Sequence, residues 1–130
     1  MWQRSNASTN TASHYNTTGK AKLMLNGNDR FAERDAKYFT HVQPYQHHTN
    51  IPAAANNINV YSFALKPEEH QPSGTLNMSR IDTASLKLEW DTAATDTTAG
   101  SATTGEIKIY AHSYNVLRIL SGMGGLAYSN

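Results

Sequence analysis

Ser85-Leu86-Lys87-Leu88-Glu89-Trp90 puts Leu86, Leu88 and Trp90 on one face and Lys87 and Glu89 on the other. That period of two belongs to a half-buried strand, because successive side chains of extended chain point to opposite faces. Upstream, Ile58 to Lys66 also alternates, with Ile58, Val60, Ser62 and Ala64 against Asn59, Tyr61, Phe63 and Leu65. Apolar groups fall on both sides, so a strand covered on both faces is expected, ended by Pro67. Thr75 to Ile81 reads as a further strand. Glu106 to Leu120 carries Ile107, Ile109, Val116, Leu117, Ile119 and Leu120. It exceeds the usual strand of ~5–6 residues, so a kink or bulge is expected near His112 to Asn115.

The remaining segments punctuate these strands. Met1 to Lys20 is rich in Asn, Ser and Thr and reads as a polar arm or loop (1–20), with Trp2 and Tyr15 its large apolar side chains. Ala21 to Leu25 is a short apolar stretch closed by Asn26-Gly27, a strong turn signal because both residues tolerate positive φ. Phe31 to Tyr38 has room for two helical turns, and His41 to Ala55 looks irregular. Asp91 to Gly105 contains only Thr, Ala, Asp, Gly and Ser, the composition of a surface loop between strands. Ser121-Gly122-Met123-Gly124-Gly125 reads as an irregular tail. The expected class is all-β, an antiparallel sandwich or barrel of Greek-key type.

Composition narrows the function. The 130 residues carry 11 Lys and Arg against 10 Asp and Glu, with 16% charged residues, 38% hydrophobic residues and no cysteine. The absence of cysteine excludes a disulfide scaffold and a thiolate metal site. A net charge of +1 supplies no basic field for nucleic acid, so no nucleic-acid partner is expected. No apolar run approaches the ~18 residues of a membrane span, so no membrane insertion is expected. The first twenty residues contain no apolar signal core. The apolar content is low for an independent core.

Candidate chemistry is sparse. His41, His47, His48 and His70 fall near Glu68 and Glu69, but their spacing matches no common zinc pattern and polar loop contacts are expected. His14 and His112 have no readable partner. The Gly-rich run at 121–125 lacks both the G-x-S-x-G and G-x-G-x-x-G patterns, so its glycines are assigned a conformational role. Glu68 and Glu69 are adjacent and point apart, unlike a glycosidase pair. The sequons at Asn6, Asn16 and Asn77 carry little information in so Asn- and Thr-rich a chain. No enzyme, metal or cofactor is expected. A carbohydrate-binding β-sandwich, with Tyr38, Tyr45, Tyr61 and Tyr110 as a stacking platform, is the alternative from another class.

One stretch is more specific. Tyr61-Ser62-Phe63-Ala64-Leu65-Lys66-Pro67-Glu68-Glu69-His70-Gln71-Pro72-Ser73-Gly74-Thr75, with Asn77 and Ser79-Arg80-Ile81-Asp82, resembles the C-terminal region of the major capsid protein of nucleocytoplasmic large DNA viruses. Tyr114-Asn115-Val116-Leu117-Arg118-Ile119 and the following Ser121 to Asn130 resemble it too. So do Leu25-Asn26-Gly27-Asn28-Asp29-Arg30-Phe31, Tyr38-Phe39 and Gln43-Pro44-Tyr45-Gln46-His47-His48. The likeness runs from about Lys22 to Asn130 with a gap at the Thr/Ala-rich loop, and Trp2-Gln3 weakly resembles a strand that precedes this region.

The resemblance implies a double jelly-roll capsid protein whose trimers form pseudo-hexagonal capsomers tiling an icosahedral shell. Residues 21–130 would be the C-terminal part of the second jelly roll, an incomplete sandwich. Val60, Phe63, Leu86, Leu88, Trp90, Ile107, Ile109 and Val116 are its expected core. Asp91, Thr95, Thr98 and Gly105 are expected on an outward loop. Implied partners are other capsid chains in a homotrimeric capsomer, the remainder of the jelly roll and minor capsid proteins. The implied location is the virion, assembled in the host cytoplasm. With no first strand recognised, 106–120 would present a bare edge, and the chain is expected to be unstable alone.

Overall fold

A computed structural model describes residues 1–6, 18–51, 58–90 and 105–128. The order is β1 (Trp2–Asn6), β2 (Thr18–Leu25), β3 (Asn28–Asp29), β4 (Arg34–Asp35), a π-helical turn (Tyr38–Val42), α1 (Gln43–His47), β5 (Ala84–Trp90), β6 (Gly105–Ile109), β7 (Leu117–Leu120) and β8 (Met123–Leu126). All strand pairs are antiparallel.

β2 is the hub of the largest sheet. β3 and β4 pair along one edge and β5 along the other. Ala21 lies opposite Leu88 and Leu23 opposite Leu86, so small and branched apolar groups share the inner face. On the other face Lys22 lies opposite Lys87. That like-charge pairing is relieved by Asp29, 3.1 Å from Lys22, and by Glu33, 3.8 Å from Lys87. The β2–β3 turn uses Asn26 at φ 50° and Gly27 at φ 79°, the left-handed pair that matches hairpin twist. Asn26 Oδ1 then accepts the Asp82 and Thr83 amides, tying the turn to the entry of β5.

β1 lies between two partners. It pairs with β6, placing Trp2 opposite Ile109, and Trp2 exchanges backbone hydrogen bonds with Asn59 on its other side. The core forms where this layer meets β2 and the helical turn. Trp2, Ala21 and Phe39 are buried, with Phe31, Tyr38, Tyr61, Leu86 and Leu88 packed around them. Phe39 is fully enclosed, with ring centroids 5.1 Å from Trp2, 5.1 Å from Tyr38 and 5.6 Å from Phe31. Edge-on and tilted geometries suit the positive edges and negative faces of these rings. The Arg34 guanidinium lies 5.2 Å from the Tyr38 ring centre and covers its outer side.

Several expectations change. Trp2–Asn6 is a strand and not part of a loose arm, because its backbone finds both Asn59 and β6 and its indole fills the core. For the same reason the 105–109 ladder is paired, not bare. Ile58 to Lys66 holds only the Asn59 bridge; past Val60 the chain bends, and Ser62 Oγ bridges back to the Ala64 backbone. Thr75 to Ile81 contains a 3₁₀ turn, Met78–Arg80, capped by Asn77, and no strand. Helical turns run from Ala36 to His47, so of Phe31 to Tyr38 only the last three residues are helical. Residues 121–125 belong to a hairpin, closed by Ser121 at φ 51° and Gly122 at φ 77°. In place of one long strand kinked near 112–115 there are two strands in different sheets, β6 ending at Ile109 and β7 beginning at Leu117.

Replacing the enclosed Phe39 by Ala is expected to cost about 3–5 kcal/mol, read as a lower denaturation midpoint. Phe39→Leu should cost clearly less, and equal losses for the two variants would contradict the packing described.

Candidate assembly surface

The described chain divides into an enclosed aromatic core and a set of uncovered apolar strands. Val60 is buried, and Leu86 and Leu88 are half-buried. Phe63, Ile107, Ile109 and Val116 are not core here. All four are exposed, Ile109 at 66%, because no layer among the described residues packs over them. The Trp90 side chain and residues Asp91, Thr95 and Thr98 lie outside the described residues. Gly105 opens β6 and so belongs to a strand.

The β7–β8 hairpin is the sharpest case. Leu117 pairs with Leu126 and Leu120 with Met123. Alternation therefore sets Leu117, Ile119 and Leu126 on one face and Leu120 and Met123 on the other. Every residue of both strands is exposed, Ile119 at 71% and Leu120 at 78%. Gly124 opposite Ile119 and Gly125 opposite Arg118 leave backbone open to close approach. Asn115 squares off the open end, accepting the Val116 and Tyr128 amides and donating to the Tyr128 carbonyl. A contiguous apolar area of this kind marks an interaction surface.

A second uncovered place lies beside β1. Met1, Trp2, Gln3, Ile58 and Tyr110 line an open recess of about 250 Å³. Among the described residues the buried Trp2 Nε1–H has no acceptor.

Polar side chains here organise backbone. Buried Gln43 donates from Nε2 to the Tyr38 hydroxyl at 2.8 Å and accepts the Ser62 amide at 3.2 Å. His47 Nδ1 donates to the Leu65 carbonyl, and His48 Nδ1 donates to Glu68. The Thr49 hydroxyl, followed by His48, holds the Glu68 carboxyl below its ordinary range. Among the described residues no group of three or more His, Asp or Glu side chains is set to hold a metal ion. Tyr38 and Tyr61 are partly buried against Phe39 and Phe31, so the four tyrosines proposed as a sugar platform do not form one.

Sequence reading missed Trp2, Phe39, Gln43 and Asn59 as structural residues. Only Trp2-Gln3, Tyr38-Phe39 and Gln43-Pro44 carried a signal, through their likeness to the capsid family.

Among the described residues, the antiparallel β fold has one enclosed core and leaves broad apolar strand faces uncovered. The family model for the large eukaryotic DNA virus major capsid protein matches residues 2–125, so the chain belongs to that family. The match takes in β1, where the likeness had rested on Trp2-Gln3 alone. The chain is 62% identical over 110 residues to the major capsid protein of Chrysochromulina ericina virus, covering 85% of this chain and 18% of that one. It is equally similar, 62% over 110 residues, to that of Phaeocystis pouchetii virus, covering 85% of this chain and 20% of the relative. The crystal structure of PBCV-1 VP54, fitted into a reconstruction of the virophage Sputnik, superposes with a TM-score of 0.74 at 48% identity. That superposition covers 87% of this chain and 30% of the other. The fold is thus an incomplete antiparallel jelly-roll sandwich, and the chain spans about a fifth of the length of the two curated relatives.

Replacing buried Gln43 by Leu strands the Ser62 amide and should cost about 1–3 kcal/mol. Urea denaturation checks this, and an unchanged midpoint would contradict the role given to Gln43.

Proposed function

We propose that this chain is a structural part of a viral capsid shell, acting by burial of its apolar strand faces against other capsid polypeptide. The uncovered faces of β6, β7 and β8 carry the reading. Each large apolar side chain taken out of water contributes about 1.5–3 kcal/mol, so a hairpin apolar on both faces gains most when both are covered. The orphaned Trp2 Nε1–H beside an open recess supports it, since buried donors normally find acceptors. In this reading the first cover is the remainder of the jelly roll. Trimeric association into pseudo-hexagonal capsomers and icosahedral tiling follow by symmetric repetition of the contacts. Other capsid chains, minor capsid proteins among them, are the partners. The protein works in the virion after assembly in the host cytoplasm, without catalysis, cofactor or nucleic-acid grip.

In the full-length protein carrying this sequence, Leu117→Asp with Ile119→Asp should cut capsomer yield at least about tenfold by putting charge on a face that must be dry. Lys87→Asp, on the outer face of β5, should leave the yield within about twofold. Sedimentation of the expressed protein reads both, and capsomers formed in normal yield by the double variant would refute the proposal.

A further inference from the structure

The segment from Leu65 to Ser73 is a closed loop held against the end of α1. Ser73 closes it, accepting the Lys66 amide at 2.7 Å and donating to the Lys66 carbonyl at 3.2 Å. The ties to the helix end come from His47, His48 and Thr49. His47 Nδ1 donates to the Leu65 carbonyl at 2.9 Å. Glu68 gathers the rest. Its Oε2 accepts the Thr49 hydroxyl at 2.7 Å and the Thr49 amide at 3.2 Å, and its Oε1 accepts His48 Nδ1 at 2.9 Å. One partly exposed carboxylate therefore supplies the acceptor for three of these four ties.

We propose that Glu68 is an acid-released latch, holding segment 65–73 to the end of α1 as a carboxylate and freeing it on protonation while the sheets stay folded. The charged groups around it leave the carboxyl as the trigger. Lys66 is engaged by Glu69 at 3.1 Å within the loop. From the 110–116 segment, Tyr114 directs its hydroxyl between the Pro67 and Glu69 carbonyls, 3.4 Å from each. His48 faces Glu68 directly, its Nδ1 on Oε1 and its Nε2 buried with no partner among the described residues. Protonating Glu68 removes acceptor capacity from an oxygen that Thr49 or His48 needs.

The direction follows from linkage. The donors lower the carboxyl's proton affinity in the closed loop relative to the released loop. The latch is therefore at full strength above the ordinary Glu value of about 4.3 and is lost as pH falls through the lower, closed-loop value. The β2–β5 ladder rests on backbone hydrogen bonds, and its carboxylate pairs Lys20–Glu89 and Lys87–Glu33 are exposed and long, so it is expected to persist.

Hydrogen exchange in the full-length protein tests this, with rates corrected for intrinsic pH dependence. Between about pH 5 and about pH 3 the Thr49 amide should lose protection several-fold, while amides of the β2–β5 ladder keep theirs. The carbon-13 shift of the Glu68 carboxyl should titrate over the same range. Glu68→Gln should leave Thr49 weakly protected at every pH, with the acid dependence gone. The latch is overturned by a flat Thr49 profile in the wild type, by simultaneous loss of the β2–β5 ladder, or by an unchanged acid dependence in Glu68→Gln.

Discussion

The Phe39 ring is where the separate parts of the chain meet. It is fully enclosed, and it touches Trp2 from β1, Phe31 from the loop after β3, and its own neighbour Tyr38. Its backbone carbonyl also accepts the Val60 amide, which brings in the segment that pairs with Trp2. A ring on a π-helical turn thus joins the β1–β6 ladder to the β2 sheet. Without it, two small ladders would have little apolar area in common. A two-stranded ribbon has marginal stability by itself, so the shared ring decides whether the parts form one body.

That body is small for the apolar surface the chain carries. The core gathers aromatic groups around a few buried residues, while β6, β7 and β8 leave their aliphatic side chains in water. A self-contained domain would fold such strands inward. Members of the family are several times longer, and under the proposed function these faces are half of an interior whose other half lies elsewhere in the polypeptide. The low apolar fraction and the exposed strands have a common explanation: the hydrophobic residues suffice for one side of a sandwich.

Local chemistry was readable from the residues. β5 announced itself by strict alternation, and Asn26-Gly27 by its tolerance of positive φ. Ile58 to Lys66 misled because its apolar groups are spread over a bend, where Tyr61 packs on Phe31 and Phe63 and no ladder forms. The terminal hairpin was missed because Gly124 and Gly125 weaken any strand pattern and Ser121-Gly122 is a fainter turn signal than Asn-Gly. Trp2 was undervalued because polar residues surround it in sequence; its partners, Phe39 and Asn59, are remote. The expected core at Ile107, Ile109 and Val116 required a covering layer, and alternation says which face is apolar, not which polypeptide covers it.

The central claim is that this sandwich is finished by protein outside the 130 residues. Sedimentation combined with calorimetry on the isolated chain tests it most directly. The account predicts self-association and no single cooperative heat-absorption peak for the chain alone, with both a defined size and a cooperative peak restored when the rest of the capsid polypeptide is present. A monomer that melts sharply in isolation would contradict it.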